Sequence, residues 1–187
     1  INLMTFLSIE SPRRKPLIFL LTTYIIIATF FLLSGRGGPN TSEPNNEVLD
    51  SQNTETIYSS IFTDFEGVNK SLRIFSGQPL IINFFASWCT PCVQEMPDFE
   101  TIHQKFGDEV TILGLAIEGI TQAQQIVKTT GVTYRTGIDD NGLLAEFGGI
   151  AMPTTIFVSI EGLIVDRYSG VLTYENLRNK LTTEFGI

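Results

Sequence analysis

Residues 84–97 read FFASWCTPCVQEMP and hold both cysteines of the chain, Cys89 and Cys92, in a C-x-x-C spacing. Trp88 precedes the pair and Pro91 lies inside it. Two thiols so placed can ligate a metal, clip a loop, or exchange with other disulfides. A structural zinc site commonly takes four Cys or His ligands. The chain offers two cysteines and a single histidine, His103, about three turns beyond Cys92 on the same expected helix. That is too far to share an ion, so neither metal nor cofactor is expected, and His103 reads as a helix-surface or partly buried residue. A structural clip closing so short a loop removes little unfolded-chain entropy and stabilises little. Exchange chemistry fits best. Cys89 follows an apolar run and opens a helix, where unpaired N–H groups and the helix dipole favour a thiolate. The thiolate is the attacking species, and a second thiol one turn on resolves the mixed disulfide.

Positioning the pair needs a strand before it and a helix after it. PLIINFFA (79–86) is a continuous apolar run of strand length, as a strand buried on both faces would be. After the cysteines, Met96, Phe99, Ile102 and Phe106 recur at helical spacing. VTILGLAI (110–117) predicts a second buried strand, and TQAQQIVKTTG (121–131) a helix stopped by Gly131. TYRTGID predicts an added strand and NGLLAEFG a short helix. Two hairpins are expected, around Glu66-Gly67 within 58–75 and around Glu161-Gly162. TYENLRNKLTTEF closes the chain as a helix with Thr173 as its cap. This order predicts an α/β sandwich on a mixed sheet.

The N-terminal third reads differently. Arg13, Arg14 and Lys15 precede LIFLLTTYIIIATFFLL (17–33), which carries no charge. Seventeen residues at ~1.5 Å rise span roughly 25 Å, the short end of a bilayer crossing, and the run is long for a cleaved signal. LLSGR resembles a lipoprotein cleavage box with Arg36 in place of the required cysteine, which disfavours lipid anchoring. The expected organisation is a cytoplasmic segment 1–16, a transmembrane signal-anchor 17–34 and a flexible linker 35–55 rich in Gly, Pro, Asn and Ser, with a folded domain over 56–187. The positive flank stays inside, which sends the domain to the outer face of the cell membrane or the periplasm. The chain has 12 basic and 20 acidic residues, and three of the basic ones flank the apolar run. An acidic domain disfavours nucleic acid and anionic head groups as partners.

NFFASWCTPCVQEMP resembles the active-site segment of thioredoxin-like proteins, above all the membrane-anchored TlpA/ResA/CcmG-type thiol–disulfide oxidoreductases. The marks are W-C-x-P-C followed by Glu95 and Pro97, and, 60 residues on, GIAMPTTIFV, similar to the family's loop whose proline is cis and faces the dithiol. The resemblance covers roughly residues 57–184. It implies a thioredoxin-like sandwich with a central mixed sheet flanked by helices, preceded by the single transmembrane helix. It implies a redox-active disulfide between Cys89 and Cys92, and a cis bond before Pro153 that offers Met152 and Thr154 backbone groups to an extended substrate. Cytoplasmic thioredoxins carry a buried aspartate where this chain has Asn83, which cannot take a proton. Glu95, one turn after Cys92, is the candidate proton carrier, against a plain helix-surface charge. Trp88 is either a lid beside the sulfur or core packing, Met152 either substrate contact or core filling, and Pro97 a helix kink.

The function so implied is reduction of client disulfides, such as the haem-attachment cysteines of apocytochrome c or those of a copper-site assembly protein. A membrane donor of the CcdA/DsbD type would re-reduce the domain. Two alternatives stand beside it. A thiol peroxidase wants a threonine-x-x-cysteine pocket with an activating arginine, whereas ASW precedes Cys89 and no arginine lies between Arg73 and Arg135. A binding or chaperone module without turnover would not need Cys89, Cys92, Glu95 and Pro153 together.

Overall fold

A computed structural model describes residues 56–187. The expected segments 1–16, 17–34 and 35–55 lie outside the described residues. Among the described residues no helix is long and apolar enough to cross a membrane.

The apolar run 79–86 forms β3 (Leu80–Phe85), buried along its whole length. It is flanked on one side by β4 (Thr111–Ala116), parallel to it, and on the other by antiparallel β6 (Thr154–Val158). β5 (Arg135–Ile138) runs parallel to β4, and β7 (Ile164–Ser169) antiparallel to β6. With the short strands β1 (Ile61–Thr63) and β2 (Asn69–Ser71), the order across the sheet is β2-β1-β5-β4-β3-β6-β7. Continuous apolarity follows from this position, since both faces of β3 are covered.

Alternation along β3 splits the core in two. Ile81 and Phe85 join Met96, Phe99 and Ile102 of α1 (Thr90–Phe106) and Leu177 of α4 (Tyr174–Lys180) on one face. Leu80, Ile82 and Phe84 pack on the other face with Leu72, Phe75, Leu143 and Phe147. The remaining helices are α2 (Ile120–Thr130), stopped by Gly131 in the left-handed region, and α3 (Leu143–Glu146). Thr173 caps α4 as expected, its hydroxyl accepting from Asn176 N. Pro97 sits inside α1, where it lacks the N–H that would reach the Val93 carbonyl.

Two expectations change. The first hairpin forms, but its strands are three residues each, and the stretch after Ser71 turns into a 3-10 helix, Leu72–Phe75. Ser71 Oγ accepts from Arg73 N and caps that turn, taking the backbone away from strand pairing. The closing helix is also not uniform, because α4 continues as a π turn over Leu181–Phe185.

The β1–β2 ribbon joins the rest of the sheet through one register pair, Thr63 with Ile138. Beside it, a Cβ on Gly137 would lie 2.6 Å from Thr63 O and 2.7 Å from the Phe62 ring. Gly137→Ala should therefore prise the ribbon from β5 and cost about 1–3 kcal/mol, as overpacking does. Chemical denaturation should show this loss, while the rate of disulfide exchange well below the transition stays at the wild-type value.

Candidate active site

β3 ends at Phe85, and residues 86–88 carry the chain to the first turn of α1. Cys89 is the residue before that helix, in extended backbone conformation, and Cys89 N donates to Ala86 O at 3.1 Å. Its sulfur accepts from Cys92 N at 3.3 Å, so Sγ takes the place of a capping oxygen and faces the unpaired donors of the helix start. Pro91 lies in the first turn, where its missing N–H costs nothing. The two cysteines form a disulfide with a Cα–Cα distance of 5.3 Å. Cys89 keeps 5% exposure and Cys92 none, so the more accessible cysteine is the one at the helix end, though it shows only a small surface. Trp88 is 65% exposed and is not core packing.

The turn that presents Trp88 and Cys89 is held by Glu118, just past β4. One carboxylate oxygen accepts from Ser87 N and the other from Ser87 Oγ at 2.9 Å. The sequence analysis singles out neither residue, because the contact joins positions 31 apart.

β6 runs antiparallel to β3 with Thr154 opposite Phe84. This register brings the residues before β6 to the sheet end from which the dithiol projects. The Met152–Pro153 bond is cis, as the resemblance implied. Pro153 O accepts from Gly170 N at 2.9 Å. Among the described residues the Met152 N–H and C=O have no hydrogen-bond partner, and the half-buried Met152 side chain packs on both core faces. Thr154 differs from the expectation. It is 1% exposed, paired between β3 and β7, and its hydroxyl donates to Ala151 O at 2.7 Å. Of the expected substrate-side residues, Met152 has free backbone and Thr154 is enclosed by the sheet. Ile150 (93% exposed) and Val171 (41%) add apolar surface on the segments that flank Pro153 and Gly170. An isoleucine in a glycine-rich loop was the available signal for the first.

Glu95 lies one turn after Cys92 on the buried face of α1 and is 1% exposed, not a surface charge. Oε1 accepts from Asn83 Nδ2 and Oε2 from Leu172 N, each at 2.8 Å. Burial pushes the Glu95 carboxyl up to about 7; the two N–H donors oppose this, and Asp98 adds to it. The acid form is therefore favoured well above the usual carboxylate range, one helical turn from Cys92. Asn83, polar in the middle of an apolar strand, was the sequence signal for this contact. His103 is remote from the pair, lying edge-on to Tyr134 and lining a cavity of about 440 Å³ with Lys70 and Arg135.

The AhpC/TSA family model matches residues 55–167. The chain belongs to the AhpC/TSA family. Within it, thiol-disulfide oxidoreductase ResA of Bacillus thuringiensis subsp. konkukian is 30% identical over 124 residues, 65% of this chain and 72% of that protein. Thioredoxin-like protein YneN of Bacillus subtilis is 29% identical over 119 residues, 62% of this chain and 70% of that one. Among solved structures, StoA from Bacillus subtilis superposes with a TM-score of 0.56 at 25% identity, over 64% of this chain and 93% of StoA. A thiol:disulfide interchange protein from Chlorobium tepidum gives 0.59 at 23%, over 66% and 91%; at that identity it speaks for the fold. The chain carries a thioredoxin-like α/β domain and is a thiol–disulfide oxidoreductase of the ResA type.

The raised Glu95 carboxyl couples stability to pH. Between the ordinary value of 4.5 and about 7 the folded state holds a proton that the unfolded state has released. Stability from this group is thus full below about 4.5 and falls as pH rises through about 7, by on the order of 3 kcal/mol at about 1.4 kcal/mol per pH unit. Denaturation of the oxidised protein across this range should show the decline, and Glu95→Gln should remove it.

Proposed function

We propose that this protein is a membrane-tethered, single-pass, extracytoplasmic reductant of client disulfides, with Cys89 as nucleophile, Cys92 as resolver and Glu95 as proton carrier. The observation that carries the reading is the position of the Cys89 sulfur. It caps α1, accepts Cys92 N–H, and lies beside exposed Trp88 at the sheet end that also holds the Met152–Pro153 loop.

In the first step the Cys89 thiolate attacks one sulfur of a client disulfide. The client S–S bond breaks, its other sulfur leaves as a thiolate and takes a proton from water, and a mixed disulfide forms. Cys92 then gives its proton to the Glu95 carboxylate and attacks Cys89 Sγ. The mixed disulfide breaks, and the departing client thiolate accepts a proton that Glu95 returns. Two electrons have passed to the client, and Cys89–Cys92 is oxidised. The free Met152 N–H and C=O suit an extended client segment that pairs through its backbone.

The chemistry of the ResA-like relatives and the charged-then-apolar N-terminus support the anchored, outward-facing reading. Suitable clients are the haem-attachment cysteines of apocytochrome c or those of a copper-site assembly protein, with a CcdA/DsbD-type membrane protein returning electrons. Tethering raises the effective concentration of such membrane partners. Peroxide chemistry has no comparable support, because Arg135 lies over the Phe75 ring and not at the dithiol.

Cys92→Ser should accumulate mixed disulfides with clients through Cys89, read on non-reducing gels; trapping through Cys92 in Cys89→Ser would invert the assignment. Glu95→Gln should slow insulin reduction by about tenfold to a hundredfold, modest for general acid–base assistance, and change the pH dependence of cysteine alkylation. Superimposable alkylation curves would refute its role. The protein should stay with membranes through a carbonate wash, and a reporter fused after Ile187 should work only outside the cytoplasm.

A further inference from the structure

Glu95 must exist in two forms with opposite needs. The carboxylate only accepts hydrogen bonds, whereas the acid also donates one. Leu172 N–H serves an oxygen that accepts in either form. The other oxygen faces Asn83, whose side chain is wholly buried on the α1 side of β3. Asn83 Nδ2 donates to Glu95 Oε1 at 2.8 Å and lies 3.3 Å from Thr155 Oγ1, while Asn83 Oδ1 is buried with no partner among the described residues. A buried carbonyl oxygen without a donor is uncommon in a folded core.

The groups around Glu95 leave this pairing decisive. α1 itself contributes Cys92 one turn before and Asp98 one turn after. β6 contributes the neutral Thr155, and the β7–α4 turn only a backbone N–H. Tyr134, before β5, feels the Glu95 charge and has its phenol raised, chiefly by burial, so it stays neutral. None of these is a cation. Asn83 is the sole side chain bonded to the Glu95 carboxyl among the described residues.

A half-turn about the Asn83 Cβ–Cγ bond exchanges Nδ2 and Oδ1. With Nδ2 toward Glu95 the carboxylate is held. With Oδ1 there, the acid O–H has an acceptor, and the Thr155 hydroxyl can donate to the same oxygen. We propose that Asn83 is a positioning residue for the exchange reaction, its amide turning to match each protonation state of Glu95 and so setting how readily Glu95 takes the Cys92 proton. The proposal rests on the role given to Glu95 above. It also gives a chemical reason for an amide at this place. An aspartate there would put a second carboxyl within hydrogen-bond distance of the first, and the two would share one proton.

The test is an infrared titration of the full chain in detergent, oxidised so that neither cysteine titrates, with Glu95→Gln subtracted to isolate the Glu95 carbonyl band. Asn83→Leu should raise the Glu95 midpoint by about one pH unit or more, a tenfold change in proton affinity, because the carboxylate loses its donor. It should also move the protonated carbonyl band, because the acid loses its acceptor. The pH profile of client reduction should shift with the midpoint. Asn83→Asp, nearly isosteric, should make the pair hold its shared proton to higher pH, moving the midpoint above the wild-type value and shifting the carbonyl band. A wild-type midpoint and band in Asn83→Leu would overturn the proposal even if stability fell. Should that variant not fold, a wild-type midpoint with a wild-type band in Asn83→Asp overturns it. A Glu95→Gln enzyme with the wild-type pH profile would remove the Glu95 reading and this inference together. An altered Glu95→Gln with silent Asn83 variants removes this inference alone.

Discussion

A carboxyl group without a cationic partner, buried between a helix and a sheet, is the constraint on which this domain is arranged. Taking Glu95 out of water is costly, and the cost is offset by two N–H donors from separate parts of the chain, Asn83 on β3 and Leu172 in the β7–α4 turn. The same turn gives Gly170 N to Pro153 O. One side chain thus ties the dithiol helix to the central strand and, through Leu172 N–H and the Gly170–Pro153 backbone bond of the same turn, to the loop at that end of the sheet. Displacing any of these elements would leave buried polar groups unpaired, which costs more than a lost surface contact.

The reactive sulfur depends on a different economy of donors. Helix α1 leaves its first N–H groups without intrahelical partners, and Cys89 meets one of them with sulfur where a serine or aspartate would supply oxygen. Rigidity comes from outside the helix, through Glu118 accepting from both donors of Ser87, its N–H and its hydroxyl. Cys92 is fully buried while Cys89 keeps a narrow opening, so placement alone makes two chemically identical residues unequal in access.

Much of this was legible in the sequence because it rests on local patterns. Unbroken apolarity in 79–86 gave the central strand, Gly131 and Thr173 gave a helix stop and a cap, and the C-x-x-C with the distant Met-Pro gave the chemistry. What was not legible needed contacts between distant residues. Glu95 was expected to replace a buried aspartate, but its second donor, Leu172, lies 77 positions away, and the Ser87 clamp depends on Glu118, 31 positions away. Nothing local marks either pair. Thr154 was misplaced for the same reason: its register between β3 and β7 encloses it. The 3-10 turn after Ser71 was hidden because a serine cap and an apolar run also suit a strand end.

Trp88 is the single tryptophan of the chain, two-thirds exposed and bonded directly to Cys89. Indole emission is quenched by a neighbouring disulfide and recovers when the bond is reduced. The intrinsic fluorescence of the whole protein is therefore a label-free optical readout of one covalent bond. It permits the midpoint potential and the kinetics of electron delivery to be followed with no dye attached to the thiols under study.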